Sequence, residues 1–175
     1  MTRAYHFLLD DMCAHSGDEK PWEIGETRTI ADVSRIKLCQ YGYHSSPTLW
    51  DALQYANGPM ACLVDVGESF GSDTDPAPKN VHAARTLIKA VNIDRELRLF
   101  AADCAERVLY LFEKERPNDD RPRKAIQAAR DFANGTIDAA AWDAAWDAAW
   151  FAAGAAERKW QLEHFNQIFG GIFNG

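Results

Sequence analysis

The sequence predicts an α+β protein: a small mixed β-sheet with one helix in residues 1–91, packed on a C-terminal array of three or four helices in residues 92–175. Two observations lead there. Every proline except Pro117 and Pro122 lies before residue 92, together with most of the β-compatible punctuation, while the long alanine-rich runs lie after it. With 175 residues, 47% hydrophobic and 26% charged, the chain has an ordinary globular composition, which excludes a disordered, collagen-like or disulfide-stapled protein.

Taken in order, Ala4 to Leu9 reads as a strand, Glu23 to Ile30 as a short hairpin around Gly25, and Met60 to Val66 as the clearest strand. Ser46 followed by Pro47 gives an N-cap and first-turn pair, after which Leu49, Ala52, Leu53 and Ala56 keep helical spacing until Gly58-Pro59 stops them. Gly67 to Lys79 is polar and proline-bearing, the pattern of an exposed loop, and Val81 to Val91 fits either strand or helix.

In the second half, Leu97, Phe100, Ala101, Cys104, Val108, Leu111 and Phe112 form an amphipathic helix that ends before Pro117. Asp120 can cap the next helix, whose stripe is Ala125, Ile126, Ala129, Phe132 and Ala133 and whose stop is Asn134-Gly135. A third helix is expected from Thr136. Its repeat sets Trp142, Trp146 and Trp150 at four-residue intervals, a drift of about 40° per step, and it runs past Gly154 towards Gly170-Gly171 as a long, kinked or split helix.

The net charge of −7 argues against duplex DNA as a direct ligand, because phosphate contacts need clustered Lys and Arg, and it favours a partner with a basic surface. No apolar run is long enough for a membrane span and Asp10-Asp11 follows the N-terminus closely, so neither a membrane segment nor a signal peptide is expected. The expected compartment is the cytoplasm, that of the host cell if the gene is phage-borne, with four free thiols.

Cys13, His15, Cys39 and His44 supply the residue types of a tetrahedral zinc site, but their spacing matches no recurrent knuckle, so no metal and no cofactor is expected. Tyr43, His44 and Ser46 stand just before a helix start, where backbone N–H groups can hold a phosphate. The plainer alternative is that Ser46 caps the helix while the aromatics pack beneath it. There is no Gly-x-Ser-x-Gly elbow, Walker loop or His-Glu-x-x-His, and no catalytic residue is nominated. The tryptophan ridge is either bundle core or an interface. On the second reading Trp142 or Trp150 is partly exposed beside Asp143 and Asp147, and this seam, with Asp119 and Asp120 near it, meets basic groups of a partner.

The run Cys104 to Glu113, then Asp119-Asp120-Arg121-Pro122-Arg123-Lys124-Ala125-Ile126, the Ala-rich aromatic repeat and Ala155 to Gln161 resemble the immunity proteins associated with bacterial polymorphic-toxin systems. Cys39, Gly42, Tyr43 and His44, the Leu49 to Tyr55 helix, and Lys79 before an Arg85-containing run look like a domain of unknown function common in phage proteins. The resemblance implies a non-catalytic inhibitor that binds and blocks a bacterial toxin or defence protein stoichiometrically, of the immunity type or as a phage or mobile-element anti-CRISPR or other anti-defence protein. The alternative function is a nucleotide-phosphate-binding enzyme of ADP-ribosyltransferase type that uses Tyr43, His44 and Ser46.

Overall fold

A computed structural model describes residues 1–14, 19–75, 77–135 and 155–174. By internal contacts the chain divides into two units, Met1–Ile93 with Ile172–Gly175, and Asp94–Gly171. The α+β class is as the sequence predicts, with strands in the first unit and helices in the second.

The first unit contains strands β1 (Thr2–Leu8), β2 (Thr27–Thr29), β3 (Tyr43–Ser45), β4 (Met60–Val66), β5 (Ser69–Asp73), β6 (Lys79–His82) and β7 (Ala84–Asn92), with the five-residue helix α1 (Leu49–Leu53) between β3 and β4. They build two sheets, ordered β1-β4-β7-β2 and β3-β6-β5, in place of the single mixed sheet expected. Every pairing is antiparallel. The core on the larger sheet is Ala4, Leu8, Trp22, Cys62, Val64, Val66 and Leu87. Cys62, Val64 and Val66 alternate along β4, so one face of that strand is buried.

Four local expectations change. Glu23 to Ile30 is not a hairpin, because β2 pairs with β7, Thr27 opposite Thr86, and Gly25 at φ +85° sends its N–H to Leu87 O at 2.7 Å. Positive φ at Gly25 turns the chain onto β7 and not back on itself. Gly67 to Lys79 is not all loop, since β5 forms within it and pairs with β6 at the edge of its sheet, where polar side chains meet solvent. Val81 to Val91 is strand, with Val81 and Leu87 almost fully buried. The cap of α1 is Thr48 and not Ser46: Thr48 Oγ1 accepts from Asp51 N–H at 3.1 Å, and its hydroxyl donates to Asp51 Oδ2 at 2.6 Å. Ser46 is buried and exchanges two 2.9 Å backbone bonds with Tyr5 of β1.

The second unit contains α2 (Asp94–Glu115), α3 (Arg121–Ala133) and α4 (Ala155–Phe169). Ala102, Ala105 and Leu109 of α2 pack against Ile126 and Ala129 of α3, where alanines let the two backbones approach closely. The expected α2 stripe is therefore rotated. Among its members Phe100 is buried while Leu111 is exposed, and the small residues Ala102 and Ala105 take the central place. Phe100 meets Phe165 and Phe169 of α4 edge-on at 5.6 and 6.3 Å. Asp120 occupies the N-cap position of α3 but makes no side-chain cap bond; Asp119 Oδ1 accepts from Arg121 N–H at 3.2 Å instead. Asn134-Gly135 ends α3 as expected, with Gly135 at φ +74°. Of the helix expected from Thr136 towards Gly170-Gly171, residues 136–154, with Trp142, Asp143, Trp146, Asp147 and Trp150, lie outside the described residues, and the remainder is α4.

Candidate functional site

Asp103, Glu106 and Arg107 stand at i, i+3 and i+4 on α2, so they share one side of that helix, and Trp160 and His164 stand at i, i+4 on α4. Asp103 ties three helices together. Its Oδ1 accepts from Arg130 Nη2 of α3 and its Oδ2 from His164 Nε2 of α4, each at 2.8 Å. Arg130 Nη2 also donates to Glu106 Oε2 at 2.7 Å, and these bonds, Glu106 first and Asp103 second, hold the Arg130 pKa above its ordinary value.

A stacked column runs beside this network. The Arg107 guanidinium lies 4.5 Å over the Trp160 ring, Trp160 stacks on His164 at 4.7 Å and 21°, and His164 lies 5.8 Å from Phe100. Arg107 Nε sits 2.6 Å from Glu157 Oε1, but off the hydrogen-bonding direction, so this buried oxygen has a charge partner and no hydrogen-bond donor. Asp103, Glu106, Arg107, Trp160 and His164 line an open concavity of about 390 Å³. The neighbouring Cys104 thiol is pushed up to about 12, first by burial and then by Asp103 and Glu157, which keeps it protonated at neutral pH. The arrangement is suited to recognition by charge and stacking.

The first unit sets two guanidinium groups on one ring. Arg28 and Arg85 face each other across β2 and β7, and their guanidinium carbons lie 4.1 and 4.5 Å from the Trp22 ring. Arg28 is paired with Glu19 and Glu26. Arg85 is 3% exposed, and among the described residues its side chain makes one hydrogen bond, from Nη1 to His44 O at 3.0 Å. Burial pulls its pKa down to about 10. Trp22 Nε1 is buried there without a hydrogen-bond partner.

The residues nominated for phosphate binding stand together, Tyr43 and His44 on β3 and Ser46 directly after it, each with a contact of its own. Tyr43 meets the Trp22 ring edge-on at 5.6 Å, His44 Nε2 accepts from Cys39 N–H at 2.9 Å, and Ser46 pairs with β1 two residues before the true cap. Burial lowers the His44 pKa, and Lys79 and Arg85 lower it further. Asp119 is bound to Arg121 at 2.6 Å and Asp120 to Lys124 at 2.9 Å, so these two of the four acids nominated for partner binding already hold local cations. Cys13, Cys39, Cys62 and Cys104 are free thiols, and among the described residues no group of three or more His, Cys, Asp and Glu is placed to hold a metal ion. No helix among those residues is long and apolar enough to cross a membrane.

The reading from the sequence missed Asp103, Arg130 and His164, although the signal was present as the i, i+3, i+4 spacing of Asp103, Glu106 and Arg107 and the i, i+4 spacing of Trp160 and His164. Residues 90–162 match the family model described as Imm-5 like putative immunity protein. That stretch spans α2, α3 and the first half of α4, including Asp103, Glu106, Arg107, Arg130, Glu157 and Trp160. It agrees with the resemblance read from the second half; the phage-domain resemblance of the first half finds no counterpart in the comparisons. No curated protein and no solved structure matches the chain.

Proposed function

We propose that this protein is an immunity-type inhibitor that neutralises a bacterial toxin by binding it stoichiometrically. The observation that carries the reading is the match of residues 90–162 to immunity proteins, on the helices that bear the Asp103–Arg130–His164 network. An immunity protein works by occupying its target, and a concavity lined by charged side chains and stacked rings suits that task. The net charge of −7 complements a basic cleft, as nucleic-acid-handling enzymes offer. On the same grounds the finer reading is a phage or mobile-element protein acting in the host cytoplasm on a defence complex or toxin, with the Trp142, Asp143, Asp147 and Trp150 seam as a further contact. The nucleotide-enzyme alternative draws nothing from that match, because Tyr43, His44 and Ser46 lie outside residues 90–162.

The test is co-expression in bacterial cells with a panel of polymorphic-toxin domains. One toxin's growth arrest should be lifted, with protection tracking a 1:1 ratio and a 1:1 complex on co-purification. If no toxin is neutralised, or if protection persists at strongly substoichiometric amounts, binding inhibition is the wrong mechanism.

A further inference from the structure

We propose that the open concavity between α2 and α4 receives a lysine or arginine side chain of the bound partner, a docking point that rests on the inhibitor reading. Three observations converge. First, Asp103, Glu106 and Glu157 bring three carboxylates to the site against the two guanidinium groups of Arg107 and Arg130. With histidine counted as neutral, one negative charge is left over, which a single incoming cation balances.

Second, the acceptors are not equally engaged. Both oxygens of Asp103 are taken, by Arg130 and His164, whereas Glu106 binds Arg130 through Oε2 and its side chain is 50% exposed. Its Oε1 accepts no hydrogen bond from a described residue and stands at the mouth as the acceptor for a new donor. Glu157 Oε1 lies behind the lining residues, 2.6 Å from Arg107 Nε, and takes part only in the charge balance. Third, Trp160 and His164 form a wall that Arg107 and Phe100 hold from either end. Because the stacked faces are occupied, this wall offers its rim to the methylene stem of a long side chain while the charged head reaches Glu106. A carboxylate or phosphate would instead meet Glu106 head-on and leave the uncompensated charge worse. The chain's overall negative charge acts in the same direction at longer range.

The probe is N-acetyl-arginine amide, with N-acetyl-citrulline amide as its neutral isostere, titrated into the full chain and followed by the Trp160 indole N–H resonance, assigned through Trp160→Phe. Saturable shifts are expected with the arginine probe, at least tenfold weaker with citrulline, and the preference should vanish in Glu106→Gln. Equal binding of the two probes, or no saturable shift, overturns the pocket. In a second arm, a toxin neutralised by the wild type should bind Glu106→Gln at least tenfold more weakly, with the variant's circular-dichroism spectrum that of the folded wild type. Wild-type affinity in that variant overturns the pocket and leaves the inhibitor reading standing. Arginine-selective binding without neutralisation of any toxin keeps the cation pocket and removes the reading on which its partner rests.

Discussion

Arg85 and Arg130 are the same residue type placed in opposite circumstances. Arg85, in the first unit, is almost wholly buried between Trp22 and Tyr43 and has one neutral carbonyl acceptor. Arg130, in the second, is partly exposed and bound to two carboxylates. Burial lowers the first pKa to about 10, while ion pairing raises the second. The difference separates two uses of a cation. Arg85 holds sheets and rings together at an electrostatic cost, and Arg130 organises a surface whose charges remain available to a partner.

The largest effect expected is at Arg85. At neutral pH the fall from the ordinary 12.5 to about 10 corresponds to roughly 3 kcal/mol of lost stability. Arg85→Ala removes that cost but opens a void against Trp22 and strips the His44 carbonyl of its donor, so a net loss of about 2 kcal/mol is expected by chemical denaturation. Arg85→Met keeps the volume without the charge and should be at least as stable as the wild type at pH 7. The sign with pH follows from a depressed folded-state pKa. Stability is fullest above the unfolded value, and is lost as pH falls from there through about 10. The wild type should therefore gain roughly 1 kcal/mol relative to Arg85→Met between pH 9 and pH 11. A flat difference over that window would mean that Arg85 is not desolvated.

Next in size is Asp103. Replacing it with Asn weakens the charge-assisted bonds to both Arg130 and His164, and a loss of about 2 kcal/mol is expected. A double-mutant cycle with His164→Ala should give a coupling of about 1 kcal/mol or more, since the two residues share a 2.8 Å bond. Additive losses would break the comparison, because Asp103 would then be a surface acid and not the joint of three helices.

These two sites were unequally legible in the sequence. The helical half was clear because period-3.6 stripes and the Asn134-Gly135 stop are local signals, and α3 ends where they say. The α2 face was misjudged because large apolar residues outweighed Ala102 and Ala105, whose smallness is what close helix contact selects. In the strand half, Met60 to Val66 stood out through its run of apolar residues, but β5 is Ser-Phe-Gly-Ser-Asp and reads as loop; only its place at a sheet edge makes it strand. Arg85 gave no signal at all. Its burial depends on Trp22 and Tyr43 arriving from distant parts of the chain, and Asp103 likewise acquires its role through Arg130 and His164.

A smaller effect separates a bond made within the helix from one made across the sheet. Thr48→Ala removes the side-chain cap of α1 and should cost about 1 kcal/mol. Ser46→Ala keeps both backbone bonds to Tyr5 and should cost clearly less. Equal losses, measured by denaturant unfolding of the two variants, would return the cap to Ser46.

The smallest effect concerns Asp119, which extends the comparison to a surface pair whose Arg121 partner is exposed. Bonds from Arg121 hold its carboxyl down at about 2, so the pair is intact above the ordinary carboxylate range and is lost only as pH falls through about 2. Solvent screens such a pair strongly, and Asp119→Asn should move the melting temperature at pH 7 by less than about a degree. The same variant discriminates between two places for the partner. If the acidic loop meets basic groups of a toxin, Asp119→Asn weakens the complex with stability unchanged, and the weakening shrinks as salt rises. If the partner is gripped at the α2–α4 concavity, Asp119→Asn binds like the wild type while Glu106→Gln does not, and titration of both variants against one neutralised toxin decides between the two surfaces.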